Sequence, residues 1–196
     1  MNILAASPAP LLATRRSLLR GAGHATLSAA AVGLLAGCST GMAKNMQTAD
    51  ASSDVEILNS ALGLEYQAIA AYQVGAESGL LQKPVLDVAV QFQSDHKQHA
   101  QVLASTITKL GGTPVMEKDP SAYNFPVANL KSQADVLQFA AGLEKGATSA
   151  YLGAVPAFTD RDLAKAAASI MGDEAMHWAV LRHALGQNPV PGAFIA

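Results

Sequence analysis

At 196 residues, half of them hydrophobic, the chain is long enough for one domain with a substantial core plus appended segments. Its 13 basic and 15 acidic residues give a net charge of −2 at pH 7, and no basic patch interleaved with aromatics stands out, which argues against nucleic acid as a partner. A single cysteine, Cys38, excludes an intramolecular disulfide.

The first segment reads as an export signal. Thr14-Arg15-Arg16-Ser17-Leu18-Leu19 resembles a twin-arginine signal. The apolar run 25–37 that follows is too short and Ala-rich to span a bilayer. It ends in Leu35-Ala36-Gly37-Cys38, which looks like a bacterial lipobox, where Cys38 would be acylated and become the mature N-terminus. Removing 1–37 takes away Arg15, Arg16 and Arg20 and no acid, leaving 13 − 3 basic residues against 15 acidic ones, a net of −5. The expected location is the periplasmic side of a membrane, held there by the N-terminal lipid. Residues 38–52 are small and polar and read as a flexible tether.

The expected domain covers 53–187. A first helix is expected from Ser53, where Ser53-Asp54-Val55-Glu56 has the form of a capping box, to about Ser78-Gly79. Ile57, Leu58, Ala61, Leu64, Ala68, Ile69 and Tyr72 trace its apolar stripe, and Glu65 lies within it. A carboxylate on a core face is costly unless paired or bound to a cation. The second helix starts at Pro84 and stops at Gly111-Gly112, with Phe92, His96, His99 and Leu103 on its inner face. The stretch 113–131 carries Pro114, Pro120 and Pro126 and has no helical period. It is long for a link between neighbouring antiparallel helices and suits a crossover running the length of a bundle. A third helix, capped by Ser132-Gln133-Ala134-Asp135, ends near Pro156. A fourth, capped by Thr159-Asp160-Arg161-Asp162, ends at Gly186. The tail 188–196 is apolar and rich in Pro and Gly, and is expected to lie along the bundle.

The two halves repeat. Gly63-Leu64-Glu65 matches Gly142-Leu143-Glu144, and Ala71-Tyr72 matches Ala150-Tyr151 at the same offset. Asp95-His96-Lys97-Gln98-His99 follows the first Glu and Asp173-Glu174-Ala175-Met176-His177 the second. The intervals Glu65 to His99 (99 − 65 = 34) and Glu144 to His177 (177 − 144 = 33) differ by one residue. Self-similarity at a fixed period marks a duplicated unit. Here the unit is a helix with one inward Glu and a helix with an acid-or-His/x/x/His pair.

Residues three apart leave the same face of a helix. The expected inward set is therefore Glu65, His96, His99, Glu144, Glu174 and His177. Di-iron and di-manganese carboxylate bundles use one Glu from each of two helices and Glu-x-x-His from the other two, and five of the six positions here fit. A lone core His is usually a hydrogen-bonded structural residue, but here three of them fall at ligand spacing. Mixed carboxylate and imidazole suits iron, manganese or zinc. Asp95 and Asp173 are placed to accept the second ring N–H of a His on the facing helix. Tyr72 and Tyr151 read as core aromatics whose hydroxyls bond a ligand carboxylate. Trp178 and Met176 read as packing, and His183, Lys97 and Arg182 as surface.

At Glu65, Asp95-His96-x-x-His99, Glu144 and Asp173-Glu174-x-x-His177 the chain resembles the ferritin-like superfamily, in particular exported bacterial ferritin-like domain proteins related to bacterioferritin and rubrerythrin. The resemblance covers 53–187. It implies an all-α, antiparallel four-helix bundle with one long crossover between the second and third helices. It also implies two divalent transition-metal ions, iron ahead of manganese or zinc, that react with O₂ or peroxide. Glu65 and Glu144 would be terminal ligands, Glu174 a bridge, and His96, His99 and His177 nitrogen ligands. With no Cys₄ segment, any electron donor would be external; a homodimer is compatible with the fold. His96 stands where the family pattern has a second bridging Glu. The alternative is therefore a non-enzymatic bundle that binds metal structurally, or protects the envelope under stress or desiccation, with redox chemistry lost.

Overall fold

The computed structural model describes residues 47–195; the expected signal at 1–37 and the acylation site Cys38 lie outside the described residues. Four helices carry the described chain: α1 (Gln47–Glu77), α2 (Lys83–Lys109), α3 (Gln133–Ala154) and α4 (Arg161–Ala184), with no strand among the described residues. Helices α1 and α2 pack as one hairpin, and α3 and α4 as another joined through the 3-10 turn Val155–Ala157.

Two sets of end contacts fix how the hairpins are joined. The Gln82 backbone N–H donates to Gln133 Oε1 at 2.8 Å, so α2 and α3 start at the same end of the bundle. At the other end, Asp54 of α1 meets Thr159 and Asp160 at the start of α4. The link 110–132 must therefore travel the length of the bundle. Asn59 of α1 holds its beginning, donating to Thr113 O at 3.1 Å and accepting from Val115 N at 2.8 Å. This is the antiparallel four-helix bundle with one long crossover that the repeat and the proline-rich link imply.

Helix α1 begins at Gln47 rather than Ser53, so the last residues of the segment expected to be a tether are helical. The carboxylate of Asp54 has a different task from starting its own helix. It is 2 % exposed and accepts from Thr159 N at 2.9 Å, Thr159 Oγ1 at 2.7 Å and Asp160 N at 3.0 Å. Thr159 is thereby drawn away from capping α4. Asp160 is the cap instead, accepting from Asp162 N at 2.7 Å and Leu163 N at 3.3 Å. Ser132 caps α3 as expected, accepting from Asp135 N at 3.3 Å.

The C-termini of α2 and α4 close in the same way, as the repeat leads one to expect. Gly111 and Gly186 take positive φ of 82° and 70°. The next residues turn back, Gly112 N to Ile107 O and Gln187 N to Arg182 O, each at 2.9 Å. This is the glycine-dependent Schellman closure.

Two apolar clusters stack along the bundle. One gathers Leu58, Leu62, Leu103, Ile107, Leu163 and Ile170; the other gathers Tyr72, Phe92, Leu137, Ala141 and Leu181. Leu62 and Ile107 are wholly buried, a contribution of about 1.5–3 kcal/mol each. The inner stripe of α1 runs through Leu58, Leu62, Glu65, Ile69 and Tyr72, which leaves Leu64, expected inside, at the edge and 36 % exposed. Met176, expected to pack, is 61 % exposed. Arg182 is not a free surface charge: it lies 5.5 Å over the Trp178 ring and donates to Asn188 O at 2.7 Å. Past that anchor the tail does not bury its apolar side chains, and Val190 and Phe194 are exposed. Between the two clusters lies a polar layer.

Candidate metal centre

Every helix feeds that layer. Glu65 comes from α1, His96 and His99 from α2, Glu144 from α3, Glu174 and His177 from α4. All but His99 are at most 3 % exposed. The structure thus brings together the six side chains that the spacing singled out. They form two overlapping sets, Glu65-His96-His99-Glu174 and His96-Glu144-Glu174-His177, in each of which one donor atom per residue lies within 4.8 Å of the others.

In the first set His96 Nδ1 is 2.9 Å from Glu65 Oε2 and 3.5 Å from Glu174 Oε1. His99 Nδ1 is 3.5 Å and 3.2 Å from the same two oxygens. In the second, Glu144 Oε1 is 3.3 Å from His96 Nε2 and 3.6 Å from His177 Nδ1. His96 and Glu174 belong to both.

The residues around the layer orient it. His99 Nε2 lies 3.4 Å from Asp173 Oδ2, and His177 Nε2 lies 3.5 Å from Asp95 Oδ2, so each Asp faces a His on the opposite helix. In the neutral ring, with the outer nitrogen as the donor, the Nδ1 of His99 and of His177 would offer its lone pair inward. Tyr72 of α1 donates its hydroxyl to Glu144 of α3, and Tyr151 of α3 donates to Glu65 Oε1 of α1 at 2.6 Å. The two bonds join corresponding residues of the duplicated halves.

Charge is balanced by mutual attraction. Burial alone would lower the imidazoles, but the Glu144 and Glu65 carboxylates outweigh it and raise His96 to about 10. Against the same burial, Asp173, Glu174 and Glu65 raise His99 to about 12. His177 is also raised, chiefly by Glu144. Burial pushes Glu174 up to about 8. Glu144 and Glu65 stay low in spite of burial because imidazoles flank them. Burial and the neighbouring carboxylates push both tyrosines up, so they remain hydroxyl donors.

The layer is nonetheless under-satisfied. Among the described residues His99 Nδ1, Glu144 Oε2, both Glu174 oxygens and His177 Nδ1 are buried without a hydrogen-bond partner. Buried polar atoms are rarely left so. All five belong to the inward set, and all are lone-pair donors suited to a cation. The donor set therefore fits a metal centre of carboxylate and imidazole.

Two supports escaped the sequence reading. The Phe92 ring, noted only as inward, stacks on His177 with centroids 3.9 Å apart. Its position one turn before His96 was the available signal. Gln93 is buried and stitches α2 to α1, donating to Ile69 O at 3.0 Å and Gln73 Oε1 at 2.9 Å. No periodicity rule singles out such a glutamine.

Comparison with known proteins agrees with this geometry. Residues 53–187 match the model of the ferritin-like domain family. Among curated proteins none matches in sequence. A conserved hypothetical protein from Mycobacterium tuberculosis superposes with a TM-score of 0.63 at 21 % identity, covering 74 % of this chain and 99 % of that one. A ferritin-like, diiron-carboxylate protein from Bacillus anthracis str. Ames gives 0.59 at 24 % identity, over 69 % and 97 % of the two chains. The bacterioferritin-related protein from Bacteroides fragilis, a dodecameric thioferritin, gives 0.57 at 25 % identity, over 69 % and 86 %.

Proposed function

The chain belongs to the ferritin-like domain family, and we propose that it is an exported, lipid-anchored member with a dinuclear non-haem metal centre, iron being the expected metal. The observation that carries this reading is the set of five buried lone-pair atoms in one layer that make no hydrogen bond. Glu65 and Glu144 would serve as terminal ligands, Glu174, which belongs to both donor sets, would be shared between the two positions, and His96, His99 and His177 would supply nitrogen. Carboxylate with imidazole and no thiolate suits iron, manganese or zinc. The Bacillus anthracis protein is described as diiron-carboxylate, which favours iron.

A bound iron pair would supply oxidation of Fe(II) by O₂ or peroxide, or reduction of peroxide with electrons from an external donor. The chain's own residues prepare the layer for it. Asp95 and Asp173 fix the histidine tautomers, Tyr72 and Tyr151 hold the terminal carboxylates, and the stacked clusters keep bulk water away on both sides. An apolar cleft bordered by Val85, Leu137 and Leu181 ends on Tyr72, the residue that bonds Glu144, and would suit an apolar oxidant such as O₂.

The motifs 14–19 and 35–38 support export and acylation of Cys38. Among the described residues no helix is long and apolar enough to cross a membrane; in this reading the lipid provides the membrane contact.

His96 favours a second reading, a bundle that binds metal without redox turnover. Mixing the Fe(II)-loaded protein with O₂ or peroxide separates the two. Ferric absorbance rising faster than in protein-free iron supports the redox reading. Iron that stays ferrous in the bundle supports the structural one.

A further inference from the structure

His99 and His177 each have one ring nitrogen beside an outer Asp and one turned inward. His96 differs. Its Nδ1 faces Glu65 Oε2 at 2.9 Å and Glu174 Oε1 at 3.5 Å, while its Nε2 faces Glu144 Oε1 at 3.3 Å. The two nitrogens of one ring therefore look into different four-residue sets. In the first set the four nitrogen–oxygen separations run from 2.9 to 3.5 Å. Four donors about 2.0 Å from a common ion would lie roughly 3.3 Å apart. The ring is 1 % exposed and hemmed in by Tyr72 and His177, each with its centroid 5.4 Å away.

We propose that His96 replaces the missing bridging carboxylate as a bridging imidazolate, with Nδ1 on one metal ion and Nε2 on the other. This rests on the dinuclear reading above. A neutral imidazole has one lone pair and could serve only one ion. As the second ion binds, the remaining ring N–H proton passes to solvent and its electron pair becomes the second donor. Two flanking cations promote that loss for the reason that a bound zinc acidifies its water. Charge then balances. Glu65, Glu144 and Glu174 bring three negative charges and the imidazolate a fourth, against two divalent ions. That is the balance four glutamates give in the paired Glu-x-x-His bundles. The charge lost with the glutamate is recovered by a longer bridge. A ring spans its two ions at a separation on the order of 6 Å, whereas pairs held by short carboxylate or solvent bridges alone sit at about 3.5–4 Å.

The test is anomalous diffraction, with X-ray absorption in solution, on the protein loaded with Zn(II), and with Fe(II) under anaerobic conditions. The expected result is two ions on the order of 6 Å apart with His96 nitrogen bound to both. Two ions at about 3.5–4 Å, or one ion with His96 attached through a single nitrogen, overturns the bridge while leaving metal binding intact. No bound ion overturns the dinuclear reading and the bridge together. His96→Glu supplies an independent measurement: it should still bind two ions but draw them to about 3.5–4 Å. An unchanged separation in that variant overturns the proposal.

Discussion

Tyr151 reaches across the bundle to Glu65, its hydroxyl donating to Oε1 at 2.6 Å while the other oxygen of the same carboxylate faces His96 and His99. One oxygen is thus fixed by a phenol and the other is left for the centre. Tyr151→Phe should keep the metal count and lower metal affinity by about 10- to 100-fold, as expected when a support of a ligand is removed. Chelator competition reads the affinity. Unchanged affinity would mean that the phenol only packs.

The outer acids should act similarly through the histidines. Asp173→Asn removes the negative charge 3.4 Å from His99 Nε2. The amide can still hydrogen-bond but no longer favours the charge distribution that makes the ring a good donor. A loss of about 10-fold or more in affinity is expected, with helix content by circular dichroism unchanged. Full affinity would show that the Asp does not govern the ring.

Metal loading should release protons. Without metal the carboxylates raise His96 to about 10 and His99 to about 12, and burial lifts Glu174 to about 8, so at neutral pH all three hold protons that a metal must displace. The sign follows: affinity should climb as pH rises from about 5 to 8, because the histidines stay protonated across that window and the protons they release meet an ever lower proton activity. Calorimetry in two buffers of different ionisation enthalpy measures the protons released. Identical apparent enthalpies would contradict the prediction.

Asp54 is a stability element remote from the centre. Asp54→Ala strips three acceptor contacts from Thr159 and Asp160 at the start of α4. A loss of about 2–3 kcal/mol in urea unfolding is expected, with metal stoichiometry preserved. A change below about 0.5 kcal/mol would mean water replaces the carboxylate without cost.

Much of the architecture was legible because duplication doubled every signal. Glu65 and Glu144 recur at the same offset as Tyr72 and Tyr151 (144 − 65 = 151 − 72 = 79), a glycine closes both α2 and α4, and each Tyr bonds the Glu of the other half. Helix starts were less legible. Ser53-Asp54-Val55-Glu56 has the composition of a cap, yet Asp54 serves another helix about 105 residues away, a tertiary choice that local pattern cannot anticipate. Leu64 and Met176 were misplaced because hydrophobicity alone does not say which edge of a stripe is covered. The direction of the two His96 nitrogens was also beyond the sequence, since spacing gives a face and not a ring orientation.

Metal content after native purification bears most directly on the claim that this layer exists to hold cations. The account predicts about two equivalents of transition metal per chain, mainly iron, lost together when Glu144 and Glu174 are both changed to Gln. Fewer than about half an equivalent of any transition metal, in protein purified without chelators, would contradict it.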